Sequence, residues 1–551
     1  MLKQPNWLDA INNDPDNDNL RLVYSDYLEE QGELIRAEFI RVQVALANTS
    51  MDDRHYDLLA QREQQLLTAH WDRWRKEVSN TPAIHPGKPR RGFIEEVVIY
   101  APAEEDYFEY PELMSFNWPD VKRFIEETFA SFAVRRYHLN NLHDTDFREI
   151  VRTLGWTNIK ELALSSQFSV NPFVDALSLP QASDLERLDL RPLRMSQDQL
   201  MVLLAGPHMD LVHSLDLTNG SISADVVSVL AAEPLFRKLE SLRIGESGHH
   251  EGDRIGNDGI RALAESPYLE NLHTLECYNS RITDSGATAL ANSSGLANLR
   301  QLTLRGNKLG ETGVKALAAS PYLHHLVRLD LSLTELSGTG LKTLAASPTF
   351  ANVRSLNIGG NRIGDAATLA LATAEHWRLS HLSMNGVDIT DEGADTLVRS
   401  PSLEELLTLQ LSGNKQLGAN GLRSLLSSPV LKSLQLLSVA SCKLTADDFK
   451  PLADSNGLPQ LYELDMRNND MGDTGAVSLA QWPGLSSVRV LRLNSCSLGH
   501  TGAKALLDSP HLQPGVNLQL FGNDEIPETT IRELREKFGE GVWWSDGSDY
   551  Y

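Results

Sequence analysis

Leu299-Arg300-Gln301-Leu302-Thr303-Leu304-Arg305-Gly306-Asn307-Lys308-Leu309-Gly310, then Gly313-Val314-Lys315-Ala316-Leu317 and Ser320-Pro321, is a well-formed copy of a phrase repeated about fourteen times between residues 159 and 521. Its middle leucine returns at Leu162, Leu188, Leu215, Leu242, Leu275, Leu302, Leu329, Leu356, Leu382, Leu409, Leu437, Leu464, Leu491 and Leu518. The spacing stays at 26 to 28 residues except for one gap of 33, between Leu242 and Leu275. A fixed period of this length marks a solenoid.

The spacing has a physical reading. Leu299, Leu302, Leu304 and Leu309 face inward and stack on their equivalents in the next layer, because one layer alone cannot cover its apolar face. Gln301, Thr303 and Arg305 alternate with them and point away, as successive side chains on a strand do. Asn307, Asn361, Asn414, Asn469 and Asn523 follow the strand at a bend, with Cys442 and Cys496 at the same place. A buried amide there can satisfy backbone groups that the bend leaves unpaired. The second half of each unit has helical apolar spacing. It stops at Ser-Pro pairs (residues 266–267, 320–321, 347–348, 400–401, 428–429 and 509–510), since proline and the residue before it resist continuing a helix.

The string L-x-x-L-x-L-x-x-N/C-x-L resembles the ribonuclease-inhibitor-like subclass of leucine-rich repeats, which pairs a strand with a full α-helix. The period near 27 is slightly short for that subclass, and the first three repeats carry Gln167, Leu193 and Gly220 where asparagine belongs. The expected fold class is therefore an α/β leucine-rich repeat solenoid: a horseshoe with a concave parallel β-sheet and convex α-helices, joined to a small all-α N-terminal domain.

That N-terminal segment has its own pattern. Pro15-Asp16-Asn17-Asp18, Arg21-Leu22-Val23-Tyr24-Ser25-Asp26-Tyr27-Leu28-Glu29-Glu30-x-Gly32 and Arg36-Ala37-Glu38-Phe39-Ile40-Arg41 resemble the repeat-companion domain of the planctomycete/myxobacterial type. The resemblance implies a bacterial source and a regulatory architecture, and brings no activity. Asp26, Glu29, Glu30, Arg36, Glu38 and Arg41 read as solvated helix faces with ion pairs at i,i+3 and i,i+4. The expected division is 1–80 for this domain and a following helix with buried Trp71 and Trp74, and 81–145 for a connector and degenerate capping repeats. Residues 146–525 hold the repeats, and 526–551 a C-terminal cap and acidic-aromatic tail. Residues 93–99 and 134–139 read as strands, 121–132 and 528–538 as helices, and 541–544 as a closing strand. The acidic, aromatic stretch 104–118 reads as a cap insertion.

The net charge of −24 argues against bulk attraction to nucleic acid or an anionic membrane. Three cysteines without a CxxC or Cys/His spacing read as buried thiols in a reducing compartment. With neither an apolar leader nor a spanning run, a cytoplasmic protein is expected. GxxxxGK[ST], GxSxG and HExxH are missing, so neither an enzyme nor a cofactor is expected. The longest repeat carries His249, His250, Glu251 and Asp253 in a glycine-rich run, which reads as a rim loop and not as a metal site.

The outward strand positions are the candidate partner-binding residues. They are Arg187, Asp189, Arg191 and Asp216, then Arg243, Glu276 and Tyr278, then Arg305, Arg328 and Asp330, and later Asp465, Arg467, Arg492 and Phe521. Arginine and tyrosine are favoured at binding hot spots. The expected function is a non-catalytic protein-interaction scaffold or regulatory subunit that binds another protein through this face and the N-terminal cap. The architecture it resembles implies a separately encoded effector, such as a protease or ATPase. The alternative is a sensor of nucleic acid or another phosphorylated ligand through the face arginines, which the net charge disfavours.

Overall fold

The computed structural model describes residues 7–78, 84–87, 89–93, 95–100, 134–140, 160–165, 185–191, 198, 202, 209–246, 254–455, 458–539 and 541–544. Two compact units divide the chain. The first is Met1–Arg281 with Ser293–Leu299, and the second is Ile282–Asn292 with Arg300–Tyr551.

The first unit opens with four helices: α1 (Trp7–Asn13), α2 (Asp18–Glu30), α3 (Leu34–Asn48) and α4 (Arg54–Val78). Asn17 caps α2 by accepting from the Leu20 amide, and Gly32, at a φ of 86°, supplies the left-handed turn beyond its end. Ile11, Leu28, Ala37, Ile40, Val44 and Phe93 form one core, and Phe39, Val42 and Leu66 a second. Trp71 and Trp74 are half-buried where full burial was expected, because Trp74 lies against Phe39 at 4.9 Å at the edge of that second core. For Arg41 and Glu38 the expected pairing within a single helix is corrected. Arg41 of α3 reaches across to Asp26 (2.7 Å) and Glu29 of α2, and Arg62 of α4 reaches Glu38 of α3 (2.7 Å). These charges therefore join neighbouring helices.

Strands follow at β1 (Ile84–Pro86), β2 (Glu96–Tyr100), β3 (Arg136–Asn140), β4 (Glu161–Ser165), β5 (Arg187–Asp189), β6 (Ser214–Asp216), β7 (Ser241–Gly245) and β8 (Thr274–Tyr278). Within 81–145, expected to hold a connector and capping repeats, β1 lies antiparallel to β2. From β2 to β8 every pairing is parallel, and Leu162, Leu188, Leu215, Leu242 and Leu275 stand side by side.

The second unit carries β9 (Gln301–Thr303), β10 (Arg328–Asp330), β11 (Ser355–Asn357), β12 (His381–Ser383), β13 (Thr408–Gln410), β14 (Leu436–Ser438), β15 (Glu463–Asp465), β16 (Val490–Arg492), β17 (Asn517–Gln519) and β18 (Val542–Trp543). All are parallel, with the middle leucines from Leu302 to Leu518 in register. Those leucines are almost fully buried. At roughly 1.5–3 kcal/mol each, they supply the driving force for stacking. Each strand from β9 to β17 is followed by helix, for example Glu311–Ala318, except that Pro451 leaves Ala446–Asp454 as 3₁₀. Helix Glu528–Phe538 precedes β18, as the sequence predicts.

Two ladders fix the layer spacing. Asn414 accepts from the Val387 and Ile389 amides and donates to the Met384 and Leu411 carbonyls, four backbone groups spread over two layers. Asn361, Asn469 and Asn523 repeat the pattern. The serine before each proline has a role the sequence reading missed. Ser266, Ser320 and Ser509 each donate at 2.6 Å to the carbonyl of Ala231, Ala291 and Ala480, at the helix end of the preceding layer. A helix end leaves such carbonyls unpaired, so each layer caps its neighbour.

Candidate interaction surface

Alternation along each strand places one side chain in the core and the next on the opposite face, and parallel register aligns those outer side chains into columns. In the first unit one column runs Glu96, Arg136, Glu161, Arg187, and the next runs Ala163, Asp189, Asp216, Arg243, Glu276.

At the helical end the first column merges with a buried charge network. Glu95 is contacted by Arg21 (2.7 Å), Arg136 (2.8 Å) and Arg135 (3.3 Å), and Arg135 also holds Asp16 at 3.1 Å. Arg21 donates in addition to the Pro15 carbonyl. Arg136 continues to Glu161 at 3.1 Å, with His138 at 3.5 Å from the same carboxylate and 3.7 Å from Glu96. Burial would raise the Glu161 pKa, but His138, Arg90, Arg136 and Arg187 hold it down at about 2. Burial would lower the His138 pKa, and the two glutamates raise it instead. His138, Glu95, Glu96 and Glu161 were not among the expected site residues. The 26-residue step from Glu161 to Arg187 was the available signal.

The second column carries the expected site. Arg191 pairs with Asp189 at 2.5 Å and with Asp216 at 3.5 Å, and Arg243 bridges Asp216 (3.8 Å) and Glu276 (3.3 Å). Thr218 donates to Asp216 from both its amide (3.0 Å) and its hydroxyl (2.8 Å). Burial, together with Asp189, raises the Asp216 pKa. The Asp189 carboxylate holds the Arg191 guanidinium above its usual value. Arg187 is exposed on the same face. The structure thus brings Asp189, Arg191, Asp216, Arg243, Glu276 and Tyr278 into one patch. The following segment, with His249, His250, Glu251 and Asp253, lies outside the described residues. So do 104–118, 121–132 and the tail 545–551.

The second unit's face is different in kind. Gln301, Thr303, Arg328, Asp330, Ser355, Asn357, His381, Ser383, Thr408 and Gln410 line a depression of about 300 Å³. Asp330 accepts from Ser332 (2.8 and 2.6 Å) and Asn357 (2.9 Å), and Arg305 donates to Ser332 at 3.4 Å. Charge returns further along, where Arg467 holds Asp465 through two 2.9 Å bonds and Arg492 contacts Glu463. Burial would raise the Asp465 pKa, but Arg467 lowers it, whereas burial prevails at Glu463 and raises that pKa. Glu463 was missed, although it sits two residues before Asp465 on the same face. Phe521 is half-buried, its amide donating to Asn494 at 3.2 Å.

Cys277, Cys442 and Cys496 are buried thiols. Burial raises all three pKa values, to about 11 for Cys442 and Cys496. Among the described residues no group of three or more His, Cys, Asp or Glu side chains is placed to hold a metal ion, and no helix is long and apolar enough to cross a membrane.

A family model described as "Leucine Rich repeat" matches residues 295–318, 322–345, 351–372 and 460–480. With the parallel strand–helix layers above, the fold is an α/β leucine-rich repeat solenoid. None of the curated proteins matches the chain. Among solved structures, the chain is similar to the crystal structure of the Rad7 and Elc1 complex in yeast. That match has a TM-score of 0.45 and 15% identity, covering 80% of this chain and 91% of that one. It is also similar to an internalin, InlF, from Listeria monocytogenes, with a TM-score of 0.36 and 18% identity over 64% of this chain and 89% of that one.

Proposed function

We propose that the chain is a non-catalytic protein-interaction scaffold that binds its partner through the strand face, with the N-terminal helices as a repeat-companion domain beside it. One observation carries the reading. The inward side chain is leucine at nearly every registered position, whereas the outward ones change from layer to layer. Constant interiors hold the scaffold, and variable faces are where such folds keep their function. Control of a separately encoded effector follows from the architecture it resembles, and the buried thiols fit a reducing, cytoplasmic setting. The phosphate-sensing alternative has less support, because the net charge of −24 opposes a polyanion. The test is capture of partners from the native host by the full chain, compared with a variant whose face is reversed at Arg243 and Arg467 to glutamate. A protein lost with the reversed variant supports the reading. Equal capture by both, or none by either, overturns it.

A further inference from the structure

We propose that the β5–β8 face is a docking site for an acidic segment of a partner protein, gripped through its carboxylates by Arg191 and Arg243 with Tyr278 beside them. This rests on the scaffold reading and gives it a partner chemistry.

The geometry is layered. The Asp189, Asp216 and Glu276 side chains are 15%, 11% and 17% exposed, whereas those of Arg191 and Arg243 are 50% and 47% exposed. The carboxylates therefore lie at the floor, and the guanidinium groups stand above them as the outermost charged layer. Both arginines share Asp216, which draws them together over one strand. Each guanidinium carries five N–H donors in a fixed fork, more than its floor carboxylates take up. Arg191 commits only its Nε and one terminal nitrogen to Asp189. Because the floor carboxylates fix each guanidinium, less side-chain freedom is lost when a partner arrives. Tyr278, on the same strand as Glu276, adds an aromatic surface at low entropic cost.

The same charges discriminate between kinds of acid. The three floor carboxylates cancel Arg187, Arg191 and Arg243, so the patch exerts little long-range pull. The whole chain carries −24. A nucleic acid, with a charge about every 1.7 Å, gains little there and meets the acidic remainder. A peptide with two or three carboxylates can match the forks at short range without that repulsion.

The test uses the full chain and a fluorescein-labelled peptide alternating glutamate with alanine and tyrosine, read by anisotropy. Binding is expected for this probe and not for its glutamine counterpart. R191Q and R243Q should each weaken it about tenfold, the loss of one charge-assisted contact. K315Q, on a helix of the other unit, should not change it. A photo-crosslinking version should label residues 185–191, 209–246 or 274–281, a readout independent of how the variants fold. Four results overturn the proposal: no binding of the glutamate probe, equal binding of the glutamine probe, crosslinks only elsewhere, or displacement by single-stranded DNA at equal concentration. If the peptide fails while a face-dependent protein is still captured from the host, the carboxylate chemistry is wrong and the scaffold stands. Failure of both removes both.

Discussion

The two units solve one problem by different means. In the second, successive layers are tied by neutral amides, each asparagine serving backbone groups in two layers. In the first, the corresponding positions hold Gln167, Leu193 and Gly220, and charge pairs join neighbouring strands instead, from Arg136–Glu161 to Arg243–Glu276. An amide ladder has nothing to titrate, so it is indifferent to pH and to salt. A ladder of ions responds to both, but it leaves charged groups on a surface that can recognise something.

Breaking the amide ladder should have the largest effect. Asn414→Ala leaves four buried backbone groups unpaired and is expected to cost about 4 kcal/mol in chemical denaturation. Glu95→Gln attacks the ionic counterpart. It strips the buried Arg21, Arg135 and Arg136 of their common partner and should cost roughly 3 kcal/mol, with the loss confined to the first unit. Acid sharpens the contrast. The folded pKa of Glu161 is about 2 against an ordinary 4.5, so its contribution is complete above 4.5 and fades as pH falls from 4.5 toward 2. Glu161→Gln should therefore flatten this limb of the stability–pH curve by at most about 1.4 kcal/mol per pH unit. Ser347→Ala removes one buried bond to the Ala318 carbonyl and should cost about 1 kcal/mol. The smallest expected signal is chemical: a thiol reagent should leave Cys277, Cys442 and Cys496 untouched until the protein is unfolded.

What could be read in advance follows from the same contrast. The leucine column was legible because each inward position makes the same demand in every layer. The asparagine was legible because the bend is local and its needs are generic. The ion network was not. Arg135 finds Asp16 across 119 residues and Arg21 finds Glu95 across 74, distances on which no sequence period bears. The site patch fell between these cases. Asp189, Asp216 and Arg243 are one period apart and were placed on one face correctly, but which arginine covers which carboxylate depends on rotamers. The serine before each proline was read only as punctuation, since its acceptor is 29 to 35 residues back in the preceding helix.

The lateral bonds of the second unit reach back 25, 27 or 30 residues for the asparagines and 29 for the serine of a Ser-Pro pair. Each reach is close to a single period, so a copy inserted or removed whole meets the same donors and acceptors as the one it replaces. A cut of any other size would put the bonds that span it out of step. Genes for such a chain can lengthen or shorten by unequal crossover between copies with little harm to the product, and the face can be re-dealt one card at a time.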